Sequence, residues 1–339
     1  MKTSTIDALG LMYDRRFMIV RPSTSITSNP RVTHRFLTQR QAPILATITA
    51  SLPQKDSNNQ SIMTLSHSQT KTKIDIQTSN SHIMSLPKSQ RLYAGIWDDI
   101  VEVVDMGDEA AQFITHILQS NQNDKDEAGD NYIDLSFAKA RLVALLPSTE
   151  RSTDEKFVPY EGLDPKTTKP PCVALTDGYP ILIASETSLM EFNTRLTKKD
   201  SSKEKIPMNR FRPNIVLSNV PIPFEEDTWK TIMIGDVLFH LVKACPRCKQ
   251  SCTDQITGER FNEPLETLSD FRKSPSKSNG DVYFAMNAIV GDQVVVSEYD
   301  VDDIYVNEDG TGTKKISVGD KVRILKRGVP VWGDEAAPE

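Results

Sequence analysis

Three of the four cysteines in this 339-residue chain fall in one short stretch, KACPRCKQSC, residues 243–252. Thiols so spaced offer several chemistries. With His240, the cysteines Cys245, Cys248 and Cys252 make a four-ligand set for zinc, although structural zinc sites normally join two ligand pairs across a longer loop. Cys245 and Cys248 have the C-x-x-C spacing of a redox dithiol. The first cysteine of such a pair usually opens a helix, whereas here it ends the strand-like VLFHLVKAC, residues 237–245. In a third reading, Arg247 between the two cysteines, with Lys243 and Lys249 close by, lowers a thiol pKa and makes a thiolate suited to a soft transition metal. The bland alternative is three small buried hydrophobes.

A second group is MNRFRPNIVL, residues 208–217, where Arg210 and Arg212 flank Phe211 and Pro213 fixes the backbone before Asn214. A planar guanidinium fork presented from such a turn grips phosphate or a heterocycle; surface arginines beside an apolar strand are the bland reading. A third group, YDRRFMIV (13–20) and RFLTQRQAP (35–43), offers Arg15, Arg16 and Arg40 either as further anion ligands or as partners of an acidic surface.

These groups need a scaffold. RRFMIV (15–20), APILATITA (42–50), KTKIDIQ (71–77) and IVEVVDM (100–106) alternate apolar and polar residues as strands do. DEAAQFITHILQS (108–120) has helical spacing, with Gly107 and Asp108 at its cap. ARLVALL (140–146) and YPILIAS (179–185) read as strands, and the latter runs into a helix over 186–196 with Ser185 as cap and Leu189, Phe192 and Leu196 on one face. NIVLSNV, TIMIGDVLFHLVKAC, DVYFAMNAIV and ISVGDKVRILKR complete a strand-rich C-terminal half with Gly-Asp turns. The expected fold is mixed α+β, predominantly β, with barrel-like sheets and peripheral helices.

The net charge of -6 argues against a general nucleic-acid binder, so any anionic ligand must be held by local arginines. The first twenty residues contain no long apolar run, being broken at Asp14, Arg15 and Arg16, so neither a secretory signal nor a membrane span is expected. Four cysteines in so long a chain do not make a disulfide scaffold, and a reducing, intracellular compartment is expected.

Taken in order, YDRRFMIV, FLTQRQAPIL, GDEAAQFITHIL, YPILIASETSLMEFNTRL, RFRPNIVL, FEEDTWKTIMIGD, KACPRC with TDQITG, EPLETLSDFR and ISVGDKVRIL resemble the MOSC family of molybdenum-cofactor proteins, and within it the mitochondrial amidoxime-reducing components. The likeness runs from about residue 10 to 326. It implies an N-terminal β domain over 1–120, a polar insertion over 121–139, a MOSC β-barrel domain over 140–327 and a tail over 328–339. It also implies a molybdenum cofactor, Mo-molybdopterin, held between the domains. Carried over by position, Cys248 is the molybdenum ligand and catalytic cysteine. Arg15, Arg40, Asp177, Gly178, Tyr179, Arg212, Asn214 and Arg247 hold the pterin and its phosphate.

The implied activity is two-electron reduction of small N-hydroxylated substrates such as amidoximes. Cytochrome b5 and its flavin reductase are the implied electron donors, and the implied location is cytoplasmic or mitochondrion-associated. Family members usually begin with a strand ending in a Tyr-Pro-Val-Lys-Ser-like motif, whereas this chain starts after it, so one cofactor-binding edge is expected to be missing and a cofactor-free relative is one alternative. Another is a cofactor carrier like the MOSC part of molybdenum-cofactor sulfurases, whose pyridoxal-phosphate domain does not fit within 339 residues. The insertions at 121–139 and 297–314 exceed the family's usual loops.

Overall fold

The computed structural model describes residues 3–23, 31–120, 137–149, 151–159, 171–274, 280–291 and 314–332. Most of the expected insertions, and the end of the tail, lie outside these residues. The chain forms two compact units, one comprising Met1–Met12, Ser152–Cys252 and Asn262–Glu339, the other Tyr13–Arg151 and Thr253–Phe261.

In chain order, β1 (Thr3–Asp7) and β2 (Gly10–Leu11) belong to the first of these units. The second unit contributes β3 (Phe17–Pro22), β4 (His34–Phe36), β5 (Ile48–Ala50), β6 (Gln54–Lys55), β7 (Ser61–His67), β8 (Thr72–Gln77), α1 (Asn80–Ser85), β9 (Arg91–Ile96), β10 (Asp99–Asp105), α2 (Asp108–Ser120) and β11 (Arg141–Leu145). Strands β10-β11-β3-β4-β9 close into a barrel, and β5 to β8 form a separate sheet around β7. Helix α2 has the bounds its periodicity predicts. Its Phe113, Ile114 and Ile117 join Leu142 of β11 and Ile74 and Ile76 of β8 in one core. Arg141 fixes the start of α2, donating from Nε to Asp105 at 2.6 Å and from Nη1 to Asp108 at 2.8 Å.

One predicted strand is mostly something else. Residues Pro43–Thr47 of APILATITA form a 3-10 helix, and only Ile48–Ala50 is strand. Pro43 has no N–H to give a ladder and its fixed φ suits a first helical turn, so the apolar run turns instead of extending. Strand β7, which pairs with β8 from Ile62 to His67, was not predicted: SIMTLSH lies among polar connectors that mask its alternation.

The other unit continues with β12 (Ile181–Ser185), α3 (Glu186–Lys199), β13 (Ile215–Leu217), β14 (Trp229–Ile234), β15 (Val237–Pro246), α4 (Leu265–Leu268), β16 (Tyr283–Val290), β17 (Lys314–Ser317) and β18 (Val322–Arg327). Six strands make one sheet in the order β13-β12-β16-β15-β14-β18, and β17-β1-β2 make a second. The predominantly β class is as expected. Strands β14 and β15 are joined by the two-residue turn Gly235-Asp236, where Gly235 has φ of +58°, the left-handed backbone that tight hairpins require. Gly10 serves by size: a Cβ there would sit 2.9 Å from the Pro180 carbonyl oxygen, so only glycine lets β2 pack against the chain entering β12.

Ser185 caps α3 as predicted, its Oγ accepting from the Ser188 N–H at 3.0 Å. Ser188 Oγ donates to Glu226 Oε1 at 2.6 Å and accepts from the Phe224 N–H at 2.8 Å. All three side chains are buried. Ser185→Ala removes the cap and one arm of this network, and is expected to lower stability by about 1–2 kcal/mol in urea unfolding.

Burial pushes the Glu226 carboxyl above its ordinary pKa, outweighing the hydrogen bond from Ser188. The folded protein therefore holds a proton that the unfolded chain has already released, and stability falls as pH rises from the ordinary carboxylate range through the folded pKa. The slope is about 1.4 kcal/mol per pH unit within that window. Urea midpoints measured across pH should show this decline in the parent protein and a flatter profile in Glu226→Gln, which keeps the acceptor for Ser188 without the titration.

Candidate functional site

Strand β15 delivers Cys245 and Pro246 at its end, after two register irregularities in its pairing with β16. The chain then turns. The Arg247 N–H donates to the Val282 carbonyl at 2.8 Å, and a 3-10 helix spans Lys249–Cys252. Cys248 sits between these two anchors, half-buried, and its carbonyl accepts from the Ser251 N–H at 3.0 Å and the Ser251 hydroxyl at 2.8 Å.

Arg247 joins this turn to the second predicted group. Its Nη2 donates to the Phe211 carbonyl at 2.8 Å, and its Nη1 lies 3.1 Å from the Cys245 sulfur. Phe211 is itself fixed, fully buried and stacked on Phe284 with centroids 3.9 Å apart. Arg212 follows with φ of +56°, a backbone conformation costly for a non-glycine residue, and is half-buried. Asn214 is oriented by the sheet: its N–H donates to the Leu182 carbonyl at 2.9 Å, and its amide oxygen accepts from the Leu182 N–H at 2.8 Å.

The residues by themselves left the two arginines of RFRPN open, and the family resemblance took Arg212 as the cofactor-holding one. Arg210 is a buried strut, with Nε on the Ser251 carbonyl at 2.9 Å and Nη2 on the Glu263 carbonyl at 3.0 Å. It braces the cysteine turn from behind. Lys243, expected near the thiols, has its ammonium 4.3 Å from the centroid of the Phe157 ring and 5.7 Å from that of Tyr179. Of the bend before β12, Asp177 is exposed and Gly178 and Tyr179 are half-buried.

None of the four cysteines is in a disulfide. The zinc reading finds no support, since no group of three or more His, Cys, Asp or Glu among the described residues is arranged to hold a metal ion. His240 is buried with Nδ1 at 3.2 Å from the Thr231 hydroxyl, and the buried Cys252 thiol points at the Asn262 carbonyl at 3.4 Å.

The remaining predicted residues belong to the barrel unit. Arg15 has φ of +49° and pairs with Asp14. Arg40 lies with its guanidinium 5.1 Å from the centroid of the Trp97 ring, and its carbonyl accepts from Arg260 at 3.0 Å. Arg260, which also donates to the Gln39 carbonyl at 2.6 Å, and Gln255, whose amide is 3.1 Å from that of Gln39, were not picked out from the sequence. They lie in Thr253–Phe261, the stretch directly after the cysteine turn that folds with the barrel unit, and the TDQITG motif was the signal that could have found them.

What fits such a turn can be tested on Arg247. Its Nε is buried and has no hydrogen-bond partner among the described residues, while the two terminal nitrogens are engaged. A buried Nε–H without an acceptor, on a half-buried guanidinium beside the Cys245 thiol, suits an anionic ligand that also binds through sulfur or a soft metal.

Comparison with known proteins gives the domain content of the chain. The MOSC domain model matches residues 171–323, and the MOSC N-terminal beta barrel domain model matches residues 1–121. The chain belongs to the MOSC-domain family. This MOSC-domain protein is 36% identical to mitochondrial amidoxime reducing component 2 of Bos taurus over 204 residues, 56% of this chain and 52% of the relative. Over 102 residues, 30% of this chain and 28% of the relative, it is 42% identical to mitochondrial amidoxime-reducing component 1 of Homo sapiens. It is also 34% identical to the molybdenum cofactor sulfurase of Aspergillus terreus over 139 residues, 38% of this chain and 16% of that relative. The chain thus spans about half the length of the Bos taurus relative. Among the described residues no helix is long and apolar enough to cross a membrane.

Proposed function

We propose that this MOSC-domain protein binds a molybdenum cofactor and reduces N-hydroxylated compounds such as amidoximes. The observation that carries the reading is the Arg247 bridge: one guanidinium ties the cysteine turn to RFRPN, with the half-buried Cys248, which is in no disulfide, next to it in the chain. The similarity to proteins named amidoxime reducing component supports the reaction class.

In this reading Cys248 ligates the metal, and Arg247, Arg212 and Asn214 hold the anionic pterin and phosphate groups, with Asp177, Gly178 and Tyr179 as further contacts. Arg15 and Arg40 are included on the strength of the resemblance. When bound, the cofactor supplies two-electron chemistry that converts an N–OH group to N–H and water with uptake of two protons. The chain's own residues position and desolvate: Arg210 and Ser251 hold the cysteine turn rigid, and Phe211 stacked on Phe284 fixes the carbonyl on which Arg247 rests. Electrons would come from a cytochrome b5 and its flavin reductase.

The similarity to molybdenum cofactor sulfurases motivates a second reading, a cofactor carrier. Protein purified from a cofactor-competent host is assayed for molybdenum and pterin, and then for benzamidoxime reduction with a reconstituted cytochrome b5 chain. Near-stoichiometric metal with turnover is expected. Metal without turnover would favour the carrier, and absence of both metal and pterin would reject cofactor binding.

A further inference from the structure

The six-stranded sheet is open, and its two outermost strands line one groove. Among the described residues, strand β13 pairs only with β12 and strand β18 only with β14, and residues of both border a cavity of about 630 Å³ that β1 and β17 also line. An open edge presents N–H and C=O groups with no ladder partner, which makes it a template for another extended segment. The walls carry alternating side chains of moderate size. Ile215 and Leu217 are buried in the core whereas Val216 between them is 44% exposed, so the edge strand already shows the period-two pattern that a neighbouring strand continues.

A second observation points inward. Trp229 lines the same groove and is 2% exposed, and its buried indole N–H has no hydrogen-bond partner among the described residues. Buried donors of this kind are rarely left without an acceptor. The charged side chains of the lining are one acid, Asp320, and one base, Lys321, adjacent in sequence. The groove therefore matches an occupant without net charge that carries backbone-like carbonyls and alternating apolar groups.

We propose that this groove is a peptide-binding site, in which a net-neutral extended segment of alternating apolar and polar residues pairs with the free edge of β13. One of its carbonyls accepts from the Trp229 indole, and its apolar side chains lie against Ile316 and Ile324. Three residues of β13 with the exposed Ser218 give room for about four paired residues at roughly 3.3 Å each, before Asn219, with φ of +58°, turns the chain away from the extended conformation. An aliphatic small molecule could fill the apolar part, but would leave the β13 edge unpaired. This inference does not depend on the cofactor reading.

The test uses the full chain and an acetylated, amidated heptapeptide of alternating threonine and valine. Amide hydrogen exchange across residues 215–218 is expected to slow by about tenfold or more on saturation. The indole N–H resonance of Trp229, assigned by its loss in Trp229→Phe, is expected to move downfield. The same peptide N-methylated at alternate residues, unable to pair, should do neither. The proposal falls if the heptapeptide has no effect at millimolar concentration, or if the N-methylated form acts equally. It also falls if sodium decanoate shifts the indole while the peptide does not, because the groove then takes an acyl chain.

Discussion

Arg272→Met is expected to lower the unfolding free energy by about 3–5 kcal/mol, read as a large drop in the urea midpoint. Arg272 Nη2 lies 2.7 Å from Asp227 Oδ2, with both side chains 6% exposed. Its Nε donates to the Tyr283 carbonyl at 3.0 Å, and its guanidinium lies 4.2 Å from the Phe224 ring centroid and 4.4 Å from that of Trp332. Methionine keeps much of the stem volume but leaves a buried carboxylate without its cation, next to the equally buried Glu226. Burial already pushes the Asp227 carboxyl above its ordinary value despite Arg272, and removing the cation strengthens that push. The loss should therefore shrink in acid, where Asp227 is folded as a neutral acid. Asp227→Asn combined with Arg272→Met should cost less than the sum of the two single changes, as for directly coupled partners. Additive costs would show that the pair is not the source of the effect.

Cys248→Ala is expected to reduce molybdenum content after purification by more than about tenfold, since loss of even a supporting group costs metal sites that much. Cys245→Ala is expected to retain metal near the parent level. The asymmetry follows from the turn. Cys245 meets the Arg247 guanidinium at 3.1 Å through its sulfur, a contact that alanine forfeits while the Phe211 carbonyl still holds Arg247 at 2.8 Å. Cys248 has its backbone pinned twice by Ser251, so the turn survives truncation of its side chain. Thermal unfolding of the metal-free proteins separates a lost ligand from a lost fold: both variants should melt within a few degrees of the parent. Equal metal loss in the two would overturn the assignment of a single ligand.

Much of the scaffold was legible because its signals are local. The apolar spacing of α2, the Ser185 cap of α3 and the Gly235-Asp236 turn each depend on residues a few positions apart, and each stands where the sequence places it. APILATITA shows how such reading fails: alternation suggested a strand, but Pro43 decides for a turn of 3-10 helix. ISVGDKVRILKR reads as one strand-rich stretch. Its two strands join different sheets, β17 with β1 and β18 with β14, and the choice depends on partners more than eighty residues away.

The candidate site divides in the same way. The sequence by itself determined which residue types are available: a pair of closely spaced thiols with an arginine between them, and a rigid RFRPN turn. Only the tertiary structure decided which arginine does what. Arg210 is a strut because its acceptors, the carbonyls of Ser251 and Glu263, lie 41 and 53 positions away, and Arg247 is the bridge because its acceptor lies 36 positions away in RFRPN. A guanidinium's role is set by which of its donors are satisfied and how far it is desolvated, and both depend on neighbours that the chain supplies only after it has folded.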